Sequence, residues 1–262
     1  MAQMAPHPKP DPAQGIFETM LVVRGTPVAP TAHLARLGAS LEAVYGIGLP
    51  AQANQIVAEH AEVLELGRLR LTVTPPRSEM SSAPGMEVDA GELDGWPHFP
   101  ERPVSLRPHE VSGGLGCHKW ADRTALPAVS PGEAPLLTDR GEVLEAAWAS
   151  IFAVRRGALF TPPLDGRILP GVTRATTIEL ARARGIEALE HPLTLDELRA
   201  ADEVFLTNSI RGVEIVDSVD GTPLQAPGAI GSILRSDLRD AWNEFSAESK
   251  TAAPEGGRSL TA

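Results

Sequence analysis

The pattern of apolar and polar positions in the first third of the chain predicts strands that alternate with helices. Residues 15–23 form an apolar run typical of a strand, and the glycine and proline within residues 24–27 predict the turn of a hairpin. Leucines and a valine then recur at helical spacing after Thr31, which we expect to cap that helix. A second helix is predicted over residues 52–66, and residues 68–74 alternate like a half-buried strand.

The second half of the chain also alternates between strand and helix signals. Strands are predicted over residues 134–139, 150–154, 203–207 and 213–216. Helices are predicted over residues 173–184, 194–201 and 229–245. Gly185 stops the first of these helices, and Thr194 and Glu197 have the spacing of a capping box at the start of the second.

Proline, serine and glycine are frequent in residues 75–103, which predicts an irregular excursion between the two halves. The length of 262 residues is enough for one large or two modest domains. We expect a flexible tail over residues 1–14, a small N-terminal domain over 15–105, an interdomain linker over 106–116, a large C-terminal domain over 117–246 and a disordered tail over 247–262.

Charge and cysteine content restrict the possible function classes. The net charge is −11 and no basic stripe offsets it, so the surface repels nucleic acid and anionic lipid. The single cysteine, Cys117, excludes an intramolecular disulfide and fits a reducing cytosol. No apolar run approaches the ~20 residues of a membrane helix, and prolines within residues 1–10 interrupt any signal-peptide core. We therefore expect a soluble, cytoplasmic protein with no membrane or nucleic-acid partner.

The most suggestive chemistry lies in residues 116–123, where a glycine-rich approach leads to Lys119. A lysine that is partly desolvated and close to another cation has a lowered pKa, and its amine can then attack an aldehyde. Taken alone, a lysine is more often a solvated surface charge. Four further motifs follow it in order, at residues 143–145, 161–163, 169–174 and 205–209.

This ordered series, which runs from about Gly15 to about Leu224, resembles the class IV (fold type IV) pyridoxal-phosphate enzymes. That family includes branched-chain and D-amino-acid aminotransferases and aminodeoxychorismate lyase. The resemblance implies a two-domain α/β fold like that of D-amino-acid aminotransferase, with a small N-terminal α/β domain and a larger C-terminal domain. It also implies pyridoxal 5'-phosphate as cofactor, bound between the domains, and a homodimer.

The resemblance assigns roles to particular residues. Lys119 would form the Schiff base with the cofactor, and Glu145 would keep the pyridine nitrogen protonated. The cofactor phosphate would be bound by Arg36, Val172, Thr173, Asn208 and Ser209. A helix that begins near residue 171 suits this phosphate independently, because free N–H groups and the helix dipole attract anions. Thr19 would be a second catalytic residue near the substrate, and Arg211 is a candidate for a substrate carboxylate, with solvent exposure as the alternative.

Two positions depart from the family pattern. Asp122 stands where the family carries asparagine after its lysine, and Ser150 stands where most members carry asparagine. The histidines lack metal-ligand spacing, so we expect no metal site.

The function most similar to this pattern is aminodeoxychorismate lyase, which converts 4-amino-4-deoxychorismate to 4-aminobenzoate and pyruvate for folate biosynthesis. The turn at residues 208–212, the spacing from Lys119 to Arg123, the compact length and the lack of an Arg-Gly-x-Gly loop favour it. A transaminase for D- or branched-chain amino acids would use the same Lys119 and Glu145. A catalytically silent relative that acts as a binding protein is the third reading, which the departures at Asp122 and Ser150 keep open.

Overall fold

The computed structural model describes residues 9–76, 83–93, 100–224 and 228–251. After a short 3-10 turn at Pro12–Gln14, the first layer is a four-stranded antiparallel sheet in the order β2-β1-β3-β4. Its strands are β1 (Ile16–Val23), β2 (Thr26–Pro27), β3 (Leu66–Thr74) and β4 (Gly85–Glu92). Two helices, α1 (Pro30–Tyr45) and α2 (Ala53–Ala61), pack on one face of this sheet.

Strand β1 separates two environments because successive side chains point to opposite faces of a sheet. Ile16, Met20 and Val22 join α1 and α2 in one apolar cluster. On the other face, Leu21 and Val23 belong to a cluster that continues into the second sheet. This alternation determines which residues of β1 reach the site described below.

The second sheet is larger and has ten strands: nine follow the order β10-β9-β8-β12-β13-β5-β6-β7-β11, and β14 pairs with β13. Its strands are β5 (Val104–Glu110), β6 (Glu133–Asp139), β7 (Glu142–Ala146), β8 (Ser150–Arg155), β9 (Ala158–Thr161), β10 (Ala188–Glu190), β11 (Leu193–Thr194), β12 (Glu203–Asn208), β13 (Gly212–Val219) and β14 (Thr222–Pro223). Its helices are α3 (Val172–Ala183), α4 (Leu195–Arg199) and α5 (Ala229–Thr251).

Apolar clusters cover both faces of the large sheet. On one face, Phe152 and Phe205 stack with ring centroids 5.2 Å apart and pack against α3 and α5. On the other face, a second cluster includes Ile151 and Leu206 from the same two strands. Strands buried on both faces read as continuous apolar runs, as the sequence shows here. The mixed α/β fold expected from the family resemblance is confirmed.

Several predicted elements differ from the structure in the first third of the chain. Helix α1 begins at Pro30, and its cap is Ala29 in the left-handed conformation, so Thr31 lies inside the first turn and caps nothing. Proline is favoured at that first helical position because its ring fixes φ and its missing N–H is not needed there. Helix α2 ends at Ala61 rather than at residue 66, where β3 has already begun.

The predicted irregular excursion over residues 75–103 is wrong in part, since it contains β4. Residues 85–92 pair with β3 along their full length, although their glycines and acidic residues conceal the strand. The predicted linker over residues 106–116 overlaps β5, a strand of the large sheet. Helix α5 continues to Thr251, past the start of the tail predicted over residues 247–262.

The domain boundaries themselves stay a prediction. The predicted tails lie outside the described residues over 1–8 and 252–262. Residues 9–14, in contrast, are described, and the hydroxyl of Tyr45 donates to the carbonyl of Pro12 at 2.5 Å. Within the described ranges, no helix has both the length and the apolar character needed to cross a membrane.

Candidate active site

Residues 116–123, which carry Lys119 and are called the lysine segment below, are attached to the beginning of β1 by backbone hydrogen bonds. The N–H of Phe17 donates to the carbonyl of Lys119 at 2.9 Å, and the N–H of Ala121 donates to that of Gly15 at 2.9 Å. The glycine-rich approach is required sterically, since Gly114 has φ of +67° and a Cβ there would lie 2.1 Å from the carbonyl oxygen of Arg167. The sequence therefore places Lys119 at the junction of the two sheets.

Lys119 has the electrostatic environment of a nucleophile. The pKa of its ammonium is lowered from 10.5 to about 8, chiefly by burial and also by the guanidinium groups of Arg36 and Arg123, while the carboxylates of Glu18 and Glu145 oppose this shift. A larger share of this amine is deprotonated at neutral pH than in an ordinary lysine. Its Nζ lies 5.0 Å from the centroid of the Phe17 ring.

Glu145 lies on β7 and is almost fully buried, with 7% of its surface exposed. Its Oε2 accepts a hydrogen bond from the N–H of Leu169 at 3.2 Å. Burial raises the pKa of this carboxyl from 4.5 to about 7, although the Leu169 N–H and the positive charges of Lys119 and Arg123 oppose the rise. Such a carboxyl is suited to exchange or share a proton with a basic nitrogen.

The predicted phosphate end lies where α3 begins. Gly171 is the N-cap of α3 and makes no side-chain cap, so no side chain caps the N–H groups of Val172 and Thr173. Free N–H groups at the start of a helix can bind an anion. The hydroxyl oxygens of Thr173 and Ser209 lie 3.2 Å apart. A Cβ on Gly171 would lie 2.6 Å from Oγ of Ser150, so this approach requires glycine beside a small side chain.

Seven of the predicted residues line one cavity: Arg36, Lys119, Glu145, Val172, Thr173, Asn208 and Ser209. They come from α1, the lysine segment, β7, the start of α3 and the end of β12. The other two, Thr19 and Arg211, line a neighbouring chamber that shares Lys119, Asn208 and Ser209 with the first. The structure thus brings all nine residues together at the junction of the sheets, while their individual roles stay predictions.

Asn208 and Arg211 have partners within the protein. Oδ1 of Asn208 accepts the N–H groups of Ile210 and Arg211 at 3.0 and 2.8 Å, and its Nδ2 donates to Glu214 at 3.1 Å. Nη1 of Arg211 donates to the buried Glu214 carboxylate at 2.7 Å. The Asn208 side chain therefore holds the turn, and Arg211 already has a counterion.

Three arginines of this second chamber, Arg68, Arg70 and Arg123, had no site role in the sequence analysis. In the register of β1 and β3, Thr19 lies opposite Arg70, so both side chains project from the same face. The guanidinium carbon of Arg70 lies 3.7 Å from the centroid of the Phe17 ring. The polar positions of the alternating β3 pattern were the available signal, but alternation alone does not distinguish a solvated face from a binding face.

Asp122, the first departure from the family pattern, has a local structural role. Its Oδ1 accepts the N–H and the hydroxyl of Thr124 at 2.9 and 2.6 Å, and its Oδ2 accepts the N–H of Asp11 at 2.8 Å. These hydrogen bonds, led by the Thr124 hydroxyl, lower the pKa of the carboxyl. Asp122 therefore fixes the turn after Lys119.

Histidine and cysteine do not form a metal site in the part of the chain that the structure describes. Nδ1 of His118 lies 3.0 Å from Oγ of Ser40, and the ring of His118 meets that of Trp120 edge to face. Burial lowers the pKa of His118. This histidine therefore packs beside the lysine segment as a neutral ring.

Glu18 makes the stability of the fold sensitive to acid. Burial alone would raise its pKa, but the hydrogen bond from His33 and the Arg36 guanidinium outweigh burial and lower the pKa from 4.5 to about 2. The ionised carboxylate therefore contributes about 3 kcal/mol of stability, which is complete above the ordinary pKa and is lost as the pH falls toward 2.

We expect the difference in unfolding free energy between the wild type and Glu18→Gln to shrink by about 2 kcal/mol from about pH 6 to about pH 3. Urea denaturation at the two pH values measures this difference, and the comparison cancels the titration of groups that do not interact with Glu18. A difference that does not change with pH would contradict the assignment.

Comparisons with known proteins identify the family of the chain. The amino-transferase class IV family model matches residues 15–90 and 121–219, and the chain belongs to that family. The branched-chain-amino-acid aminotransferases of Escherichia coli K12 and Salmonella typhimurium LT2 are each 36% identical to it over 110 residues, which are 42% of this chain and 35% of theirs. The chain therefore matches well under two thirds of the length of these curated relatives.

Solved structures show the same fold over most of the chain. The 4-amino-4-deoxychorismate lyase of Pseudomonas aeruginosa superposes with a TM-score of 0.76 at 26% identity, over 87% of this chain and 91% of that one. A hypothetical aminotransferase of Mycobacterium tuberculosis, in its PLP-bound form, gives a TM-score of 0.75 at 22% identity, over 93% and 95%.

The Mycobacterium tuberculosis aminotransferase named above binds pyridoxal 5'-phosphate, and membership of the class IV family implies the same cofactor for this chain. The residues present fit this group. Oγ1 of Thr207 is buried in the cavity wall and has no hydrogen-bond partner among the described residues. The uncapped start of α3 can receive a phosphate, and Lys119 and the buried Glu145 line the same cavity.

Proposed function

We propose that this enzyme is a 4-amino-4-deoxychorismate lyase, which releases 4-aminobenzoate and pyruvate and thereby serves folate biosynthesis. The observation that carries the proposal is the charge of the substrate chamber. Five of the side chains that line it are cationic, Arg68, Arg70, Lys119, Arg123 and Arg211, and its one aliphatic wall residue is Ile210.

Two of these arginines have no acidic partner among the described residues, although Nη2 of Arg123 already donates to the carbonyl of Ala147. Arg68 pairs with Asp89 at 2.6 Å and Arg211 pairs with Glu214, whereas Arg70 and Arg123 form no ion pair with any described residue. Nε of Arg70 is buried and has no hydrogen-bond partner among the described residues. A substrate with two carboxylates would satisfy two such cations, and 4-amino-4-deoxychorismate carries two.

The chamber also suits a ring. Phe17 and Trp148 contribute aromatic surfaces to its wall, and aromatic faces pack well against flat cyclic groups. A branched aliphatic side chain would meet mainly arginine and aromatic groups here, which favours the cyclic dicarboxylate over a branched-chain amino acid.

Each residue of the site has its own role in the proposed reaction. When bound, pyridoxal phosphate supplies an electron-withdrawing ring that stabilises negative charge on the substrate carbon. Lys119 removes the proton from the carbon that bears the amine, as a general base with a lowered pKa. Thr19 or Lys119 returns a proton to the departing enolpyruvate, while Glu145 would hold the proton on the ring nitrogen of the bound cofactor. Arg36, Val172, Thr173, Asn208 and Ser209 are the proposed phosphate ligands, with Arg211 kept as a weaker candidate for substrate.

Replacement of Arg70 tests the proposed substrate directly. We expect Arg70→Met to raise KM for 4-amino-4-deoxychorismate by about 10- to 100-fold, because one charge-assisted bond to a carboxylate is lost. Arg68→Met is the matched comparison on the same strand face, and we expect a rise below about 5-fold, because Arg68 already has Asp89 as a partner. Steady-state pyruvate release measures both, and an unchanged KM in Arg70→Met would contradict the assignment.

A transaminase for branched-chain or D-amino acids is the second candidate. It is favoured by the curated relatives named above, which are branched-chain aminotransferases. A chamber with two unpaired arginines also accommodates a dicarboxylic keto acid. A catalytically silent binding protein is not favoured, because Lys119 and Glu145 both line the cofactor cavity with shifted pKa values.

We further infer a cytoplasmic homodimer with two domains on either side of the cofactor, divided near the boundaries predicted above. The family resemblance supports the dimer, and the acidic composition and single cysteine support the compartment. The partner of the site is a small molecule, with neither nucleic acid nor membrane involved.

A further inference from the structure

Three side chains form a buried ionic cluster beneath the predicted phosphate site. Glu18 projects from β1 toward α1, and 1% of its surface is exposed. Its Oε2 lies 2.7 Å from Nδ1 of His33, and its two carboxylate oxygens accept from Nε and Nη2 of Arg36, each at 2.7 Å. The fork of the guanidinium therefore meets the carboxylate in a bidentate pair.

The remaining side of Arg36 connects this cluster to the cofactor cavity. Its Nη1 donates to the carbonyl of Pro170 at 2.7 Å. The adjacent Leu169 donates its N–H to Glu145, and Gly171 begins α3. These bonds use three of the five N–H groups of the guanidinium, and the side chain lines the cavity together with Val172 and Thr173.

A buried guanidinium without a counterion is strongly destabilising, because desolvation of the charge is not compensated. We propose that Glu18 is the resident counterion of Arg36: it keeps this largely buried guanidinium, 10% exposed, oriented before the cofactor binds, and the cofactor phosphate is the second anion of the same guanidinium. This inference rests on the proposed phosphate role of Arg36 and is independent of the choice between lyase and transaminase.

Glu18→Gln should lower the Tm of the cofactor-free protein but increase the rise in Tm that the cofactor causes. Without the charge of Glu18, the cofactor-free protein would hold an unpaired buried cation, and its Tm should fall by about 10 °C. A phosphate group would supply the missing anion. Pyridoxal phosphate should therefore raise the Tm of Glu18→Gln by more than it raises that of the wild type, although it binds both.

The experiment measures the Tm of wild type and Glu18→Gln without ligand and with an excess of pyridoxal phosphate, pyridoxal or inorganic phosphate. We expect both phosphate compounds to restore Glu18→Gln by at least about half of its loss, and pyridoxal, which lacks the phosphate, to restore little. A residue with a merely structural role would show no preference for phosphate.

Glu203→Gln is the matched control. The Glu203 carboxylate accepts the N–H groups of Ile230 and Gly231 at 3.1 and 2.7 Å at the start of α5. Its replacement should lower the Tm as well, while the gain from each ligand stays at the wild-type value. If Glu18→Gln gains no more from pyridoxal phosphate than the wild type does, or gains as much from pyridoxal, the counterion proposal is overturned.

Arg36→Met tests the phosphate role of Arg36 separately from the counterion role of Glu18. If Arg36 binds phosphate, pyridoxal phosphate should raise the Tm of Arg36→Met no more than pyridoxal does. If pyridoxal phosphate still raises this Tm by more, the phosphate assignment is wrong. The double variant Glu18→Gln/Arg36→Met removes both charges and covers the case in which Glu18→Gln does not fold. The proposal expects its Tm to exceed that of Arg36→Met, and a lower or equal Tm overturns it.

Discussion

Lys119→Ala is expected to lower turnover by at least about 10³-fold, because one residue supplies both the nucleophile and the general base. The variant should also lose the visible absorption of covalently attached cofactor. Initial rates and an absorption spectrum measure the two effects on the same sample.

The chain allows an unusually clean control for this prediction, since it holds three lysines, Lys9, Lys119 and Lys250. The exposed Lys9 should tolerate Lys9→Ala with full activity. Borohydride reduction of the loaded wild type, followed by peptide mapping, should find the cofactor on Lys119. A label on another lysine, or an intact absorption band in Lys119→Ala, would show that Lys119 is not the attachment site.

Glu145→Gln is expected to lower kcat by about 10²- to 10³-fold, because the variant removes the buried charge that we propose pairs with the cofactor nitrogen and keeps the shape of the side chain. Glutamine can still accept the N–H of Leu169, so the turn before α3 should remain in place. Cofactor affinity should change much less than kcat. Steady-state kinetics at saturating pyridoxal phosphate separates these two quantities.

Glu142→Gln is the matched control on the same strand. Its carboxylate pairs with Arg167, away from the cavity lining, and we expect its kcat to stay within about 2-fold of the wild type. Equal losses in the two variants would mean that Glu145 acts through the stability of β7, and the assignment to the cofactor nitrogen would fail.

The sequence predicted the elements whose local signals agree with their packing. The apolar run of β1, the alternation of β3, the capping box at Thr194 and the glycine stop after α3 all appear in the structure. It failed at β4, because glycine and acidic residues reduce local strand propensity and the strand depends on its partner β3.

The residues around the cofactor could be assembled from the order of motifs, but their partners could not. Arg36 was recognised in its motif, whereas its pairing with Glu18 follows from the approach of α1 to one face of β1. Arg70 was read as the polar side of a half-buried strand. Its place beside Thr19 depends on the register of β1 and β3, which a single sequence does not specify.

The central claim is tested most directly by incubating the loaded enzyme with 4-amino-4-deoxychorismate and no keto acid, and measuring 4-aminobenzoate and pyruvate together. We expect the enzyme to form both products in equal amounts, and we expect Lys119→Ala to form neither. If the enzyme holds its cofactor and forms neither product, but transfers an amino group from a branched-chain or D-amino acid to a keto acid, the lyase assignment is contradicted.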